Sequence, residues 1–261
     1  MALIRNFREN DGVFVFDSAI DTTLSTYDAH HLKTLARVEE NHFWFQMRRD
    51  KICKTVERYV PKSARILEIG GGTGFVASKI QQLGFKIEMA DIHAEAFEWA
   101  KNRGISPLYQ FDLFNPPFEA EFDVICLFDV LEHLHDPLQA MTCLKRMLKP
   151  QGTLILTLPA HMWLWSQSDL IAGHVCRYTK RKLKQLCDLS HLQLVHARYF
   201  FTAILPLLFL RKWSKKEAST FDPKISPFLN TLLGAIIRSE FYLDRFLPNL
   251  AGGSLIAVAK S

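Results

Sequence analysis

The chain has 261 residues, 48% of them hydrophobic and 23% charged, values ordinary for a globular protein large enough for one α/β unit with additions. Its net charge of +5 is too small to imply a nucleic-acid partner by itself. The five cysteines (Cys53, Cys126, Cys143, Cys176 and Cys187) are odd in number and lack metal-site spacing, which fits a reduced, cytoplasmic compartment better than a disulfide framework.

In chain order, residues 1–26 read as an extension with a hairpin around VFVF. MALIRNFRENDG carries charges and no long apolar run, so a secretory leader is not expected. Residues 27–60 read as two helices separated near His42. A strand at Arg65–Ile69 then meets Gly70, Gly71, Gly72 and Gly74, and a helix follows from Thr73 to Leu83. Glycines there let the backbone turn sharply and approach a ligand closely, and free helix amides point into the turn. A second strand, Lys86–Asp91, and a helix from Ala94 to Asn102 come next. Further strands are expected at 107–111, Asp123–Phe128, Thr153–Thr157, Leu192–Phe200 and Ser254–Ala259, with helices at Pro137–Leu148 and Lys180–Leu189. The alternation predicts an α/β fold around a mostly parallel sheet with right-handed crossovers.

The glycine spacing argues against one ligand class and resembles the signature of another. A dinucleotide fingerprint needs a third glycine where this chain has Phe75. The run Glu68, Gly70, Gly72, Gly74 instead gives E-x-G-x-G-x-G. It resembles motif I of the class I S-adenosylmethionine-dependent methyltransferases (type-11/12-like bacterial members), and the likeness covers Arg65 to Pro159 clearly. Asp91 suits the ribose diol because a carboxylate is acceptor-only; the plainer alternative is a helix cap. The resemblance assigns Asp112 to the adenine amino group, with Phe111 or Leu113 covering the base, and Phe128 and Asp129 to the methionine end; Ile92 is also expected among the cofactor-binding residues. NHFWFQMRRDKI supplies Trp44 and Arg48, or Arg49, to close over the cofactor.

The resemblance implies a Rossmann-like core of seven strands, the last antiparallel, and S-adenosylmethionine as cofactor with S-adenosylhomocysteine as product. The expected organisation is an N-terminal helical cap over 1–60, a core over 61–200, a helical insertion over 201–250 and the last core strand over 251–261. Strands six and seven are usually joined by a hairpin in this family. Here about fifty residues intervene, too many for a structureless loop. Ser226-Pro227 reads as a cap and first helical position, followed by Leu229, Leu232, Leu233, Ile236, Ile237 and Phe241 at helical spacing. FTAILPLLFL is too short to span a bilayer. KRKLK at 180–184 and RKWSKK at 211–216 are basic, and solvated helix faces explain both. The insertion would cap the acceptor pocket and touch a membrane surface; extra core or a dimer contact is the plainer alternative.

For the acceptor, HMWLWSQSDLIAGHVCRY resembles a W-x(3)-D-x(4)-GH-x-x-RY pattern of bacterial methyltransferases, matched by Trp165, Asp169, His174, Arg177 and Tyr178. His174 suits a general base near neutrality, and Arg177 suits a substrate carboxylate or phosphate. Alternatively His174 and Arg177 pin the loop to Asp169, with Tyr178 packed below. Asp129, Glu132 and His133 resemble the metal-binding E-x-x-E-H run of ubiquinone-biosynthesis O-methyltransferases. However, Asp129-x-x-Glu132 is also capping-box spacing, so no metal is expected. The reading is a methyltransferase acting on a small, hydrophobic or lipid-linked acceptor, with O-methylation favoured. Alternatives are a sugar or glycolipid methyltransferase of the cell envelope and a non-catalytic S-adenosylmethionine-binding protein. Nucleic acid is not an expected partner, since no N/D-P-P-Y-like motif follows strand four.

Overall fold

The computed structural model describes residues 7–16, 26, 31–211, 225–243, 246 and 248–261. Its centre is a nine-stranded sheet. The strands are β1 (Phe7–Asn10), β2 (Val13–Phe16), β3 (Arg65–Ile69), β4 (Lys86–Asp91), β5 (Leu108–Gln110), β6 (Phe122–Phe128), β7 (Leu148–Pro159), β8 (Gln193–Phe200) and β9 (Ser254–Lys260). Their order is β1-β2-β5-β4-β3-β6-β7-β9-β8. The seven strands expected from the sequence are contiguous in it. The two additional strands are the VFVF hairpin: Val13–Val15 pair in parallel with Leu108–Gln110 and so lengthen the sheet beyond seven.

The central strands β3 and β6 are almost wholly buried, as strands covered by helices on both faces must be. β9 runs antiparallel between β7 and β8. The helices are α1 (His31–Val38), α2 (Phe43–Tyr59), α3 (Phe75–Gln82), α4 (Ala96–Asn102), α5 (Pro137–Met147), α6 (Gln167–Ile171), α7 (Lys180–Leu189), α8 (Leu205–Arg211) and α9 (Pro227–Leu243). Their starts follow local chemistry. The His42 ring nitrogen accepts the Trp44 amide at 3.1 Å at the head of α2. Asp136 accepts the Gln139 amide at 2.9 Å with Pro137 in the first turn of α5, and Thr179 accepts the Lys182 amide at 3.1 Å for α7.

The long connection between β8 and β9 contains α8 and α9. Leu233 and Ile237 of α9 share a core with Phe43 and Met47 of α2. Two polar ties fix this arrangement. The Asn230 amide accepts the Phe43 amide at 2.8 Å and donates to the Asn41 carbonyl at 2.8 Å. The buried Glu240 carboxylate accepts the Thr202 and Ala203 amides, at 3.0 and 2.8 Å, where β8 turns toward α8. Of the basic run RKWSKK, Lys212 to Lys216 lie outside the described residues. No helix of the described residues is long and apolar enough to cross a membrane.

Candidate active site

A cavity of about 850 Å³ opens at the carboxyl ends of the parallel strands, between the sheet and the helices α1, α2, α8 and α9. Open α/β sheets bind ligands in this position because loops there leave a crevice outside the strand ends. The glycine turn forms one wall. Gly70 and Gly72 have φ of 69° and 55°, a region that favours glycine. A Cβ on Gly70 would lie 2.4 Å from Val130 Cγ2, and one on Gly71 2.4 Å from Met89 Cγ, so at both positions a side chain would collide with a packed neighbour. Gly74 is different. It is absent from the described wall and sits at φ 73° as the cap of α3, with its Cβ position 3.2 Å from Ala100 Cα. It places the start of α3.

Asp91 lies at the end of β4, buried on the cavity wall. One carboxylate oxygen accepts the Gly72 amide and the other the His93 amide, both at 2.9 Å. A carboxylate offers about four lone-pair positions, so the remaining two match the two donors of a diol. Burial raises the Asp91 carboxyl above its ordinary range, against the pull of the His93 and Gly72 amides. Ile92, Asp112 and Leu113 continue the wall, and Asp112 accepts the Phe114 amide at 2.9 Å. Glu68 is buried at the end of β3, and its Oε2 has no hydrogen-bond partner among the described residues. Burial pushes its carboxyl up to about 8, partly offset by Arg48.

The helical cap contributes Trp44 and Arg48 from the first turns of α2. The Trp44 ring stacks on Phe201, centroids 4.1 Å apart. Arg48 Nε lies 2.8 Å from Asp129 Oδ2, while Asp129 Oδ1 accepts the Thr157 hydroxyl at 2.8 Å. Arg49 instead lies over the Phe75 ring, 4.6 Å from its centroid. Phe128 is buried beside them on the wall.

Sequence reasoning missed a further tie. The buried Glu39, just past α1, accepts the Thr73 hydroxyl at 2.8 Å and meets Arg103 at 2.9 Å, and Arg103 donates to the Thr73 carbonyl at 2.7 Å. This group binds the cap to the glycine turn. Its only sequence signal was Thr73 inside the glycine run, which is too common a residue to be read as half of a pair.

On the acceptor side, the loop after β7 brings Asp169, His174 and Arg177 together. Asp169 is fully buried in α6. It accepts from Arg177 Nε at 2.8 Å and Nη2 at 2.9 Å, and His174 Nδ1 lies 2.7 Å from its Oδ1. Burial alone would raise this carboxyl, but the bonds from His174 and Arg177 outweigh it and hold the group at about 2. A carboxylate acceptor at Nδ1 favours the tautomer with its proton on that nitrogen, leaving His174 Nε2, 4.0 Å from Glu132 Oε1, as an acceptor.

Two expectations change here. Arg177 spends its third nitrogen on the Ala160 carbonyl at 3.1 Å, so its fork pins the loop rather than awaiting a substrate anion. Tyr178 is fully buried, is absent from the described wall, and places its hydroxyl 3.4 Å from the Leu131 carbonyl. It packs beneath the site and is not placed to touch a substrate.

The capping-box reading of Asp129 and Glu132 is also corrected. Residues Leu131–His133 form a 3-10 turn capped at Val130 without a side-chain bond. Asp129 has a left-handed φ of 53° and turns its carboxylate to Thr157 and Arg48. Glu132 is fully buried with both oxygens lacking a hydrogen-bond partner among the described residues. Burial, and Asp129 after it, raise its carboxyl well above the ordinary range. Ligand atoms of Glu132, His133 and His174 lie within 4.8 Å of one another. His133 Nδ1 is 3.2 Å from the Gly173 carbonyl, and burial lowers this imidazole to about 4. Two imidazoles and an orphaned carboxyl fit a divalent cation, and the Asp169 contact to His174 is the outer partner a ligating histidine ordinarily has.

Residues 43–197 match the family described as a methyltransferase domain. A ubiquinone biosynthesis O-methyltransferase from Xanthomonas oryzae pv. oryzae is 29% identical over 101 residues, covering 36% of this chain and 42% of that protein. The corresponding protein of Haemophilus ducreyi is 32% identical over 114 residues, covering 38% and 48%. The match thus spans less than half the length of these curated relatives. A SAM-dependent methyltransferase from Thermotoga maritima superposes with a TM-score of 0.57 over 88% of this chain and 97% of that one, at 16% identity. The phosphoethanolamine N-methyltransferase 2 of Haemonchus contortus, solved with S-adenosyl-L-methionine, gives 0.56 over 81% and 52% at 17% identity. A 4+2 cyclase, SpnF, gives 0.55 over 81% of both chains at 17% identity. At such identities the likeness shows the fold alone.

Proposed function

The chain belongs to the S-adenosylmethionine-dependent methyltransferase family, and on that premise we propose that it transfers a methyl group to an oxygen of a small, apolar or lipid-linked acceptor. The observation that carries this reading is the meeting of two chemistries in one cavity. The glycine turn and Asp91 line one part, and His174, held by the buried Asp169, lines another. Leu207, Leu208, Leu229 and Leu233 from α8 and α9 make the remaining wall apolar, which is the ground for the acceptor class. The same insertion is the ground for a peripheral membrane contact.

In this mechanism Asp91 and Asp112 orient the nucleoside, and Arg48 faces the methionine end beside Asp129. S-adenosylmethionine supplies a methyl carbon activated on a positively charged sulfur. When bound, it would pass that carbon to the acceptor oxygen and keep the carbon–sulfur electron pair on sulfur as a neutral thioether. The acceptor proton passes to His174 Nε2, and the Asp169 carboxylate stabilises the resulting imidazolium. The cap helices exclude water and fix the line of attack.

A second reading is favoured by the orphaned Glu132 carboxyl. In it Glu132, His133 and His174 hold a divalent cation, which when bound would lower the pKa of an acceptor hydroxyl. His174 is then a ligand instead of a base. Calorimetry with S-adenosylmethionine, S-adenosylhomocysteine and NAD tests the shared premise. The first two are expected to bind and the third not, and tight NAD binding without S-adenosylmethionine binding would end both readings. Labelled methyl transfer into a cell extract separates the enzyme from a non-catalytic binding protein.

A further inference from the structure

We propose that the outer face of α8 and α9 docks on an anionic lipid surface, with the cavity mouth opening toward it. Docking needs only this face; its use in delivering an acceptor rests on the methyltransferase reading. α9 is apolar on two sides. Leu233 and Ile237 point into the core, while Leu229, Leu232 and Ile236 recur at helical spacing on the exposed side. α8 adds exposed Leu207, Phe209 and Leu210. Trp163, 44% exposed in the loop after β7, brings its ring to 6.3 Å from that of Phe209 and so extends the face.

Three features select a lipid surface over a second copy of the chain. First, Leu207, Leu210 and Leu229 are both exposed and part of the cavity wall, so at these positions the apolar surface continues from the outside into the cavity. An amphiphile can pass along such a surface without leaving an apolar environment. Second, the charge is one-sided. The only acidic residue of α8 and α9 is Glu240, which is buried and bonded to the Thr202 and Ala203 amides. At the far end of α9, the Lys54 ammonium lies over the Phe241 and Tyr242 rings at 5.5 and 5.4 Å, an apolar body beside a cation as the headgroup zone favours. Third, Phe228 is 79% exposed, so its ring protrudes as an insertable wedge rather than lying in a flat, self-complementary patch.

The test is flotation of the full chain with vesicles of phosphatidylcholine alone or with phosphatidylglycerol added. It compares wild type with a triple variant, Phe209→Ser, Phe228→Ser and Leu232→Ser. None of the three lines the described cavity wall, and all are exposed, so the variant should fold and bind S-adenosylmethionine as wild type does. Wild type is expected to float with the anionic vesicles, less at high salt, and the variant's partition coefficient to fall by at least about tenfold. Wild type staying at the bottom with both vesicles overturns the proposal. So does undiminished flotation of the variant, or a wild-type dimer that the variant converts to monomer without any vesicle binding. Flotation without S-adenosylmethionine binding would sink the methyltransferase reading and leave the docking surface standing; binding without flotation would do the reverse.

Discussion

Replacing Asp91 separates what this carboxylate does for the fold from what it does for a ligand. Its two oxygens accept the Gly72 and His93 amides at 2.9 Å. Asp91→Ala strands both donors, at about 1–3 kcal/mol each if they stay dry, so this variant is expected to lose stability as well as affinity. Asp91→Asn is the sharper perturbation. Its carbonyl oxygen still satisfies one amide, while its amino group faces the other and presents donors where a ribose hydroxyl needs an acceptor. Loss of one charge-assisted bond is worth roughly 1.5–3 kcal/mol, or about a ten- to hundredfold weaker S-adenosylmethionine. Urea denaturation of the apo-protein measures the first effect, and calorimetry with S-adenosylmethionine and S-adenosylhomocysteine measures the second. A folded Asp91→Asn variant that binds both with wild-type affinity would remove the ribose role from this residue and refute the lone-pair argument.

Glu68→Gln should remove a pH dependence. A carboxyl raised to about 8 in the folded state keeps its proton while the unfolded chain releases it, so it costs stability as pH rises from its ordinary 4.5 toward 8. The stability advantage of the variant should therefore grow by about 1.5 kcal/mol between pH 6.5 and 8, read from urea midpoints; a constant difference would mean the carboxyl is already ionised. His174→Asn should lower methyl transfer by about 10²–10⁴-fold while leaving S-adenosylmethionine affinity intact. Unchanged turnover would take proton transfer away from this residue. With His174 as base, chelation should leave turnover largely unaffected. Loss in EDTA, restored by a divalent ion, would favour the Glu132–His133–His174 reading.

Much of the core was legible because its signals are local. The run from Ile66 to Phe75 carries strand, turn and helix start in ten consecutive residues, and β3, β4 and α7 fall where the periodicity put them. Asp91, Asp112 and Phe128 reach the cavity because strand ends are where an open sheet leaves space. The rest depends on pairs far apart in the chain. Whether Asp129 caps a turn or meets Arg48 is decided by a helix 81 positions earlier, so spacing alone chose wrongly. Tyr178 looked equivalent to His174 in the same motif, yet its backbone bridges Ala160 and its ring turns inward. The Glu39–Thr73–Arg103 group joins three segments, none of which announces the others.

The two ties made by α9 bear on how such enzymes can be re-engineered. Asn230 holds the head of the helix that carries Trp44 and Arg48, and Glu240 holds the corner next to Phe201, on which Trp44 stacks. In the proposed function, acceptor recognition and cofactor recognition therefore share one mechanical frame. A chimera that exchanged this insertion for that of a relative would transplant more than substrate preference: unless the incoming helix supplied an amide and a carboxylate at the same two places, it would also loosen the grip on the methyl donor.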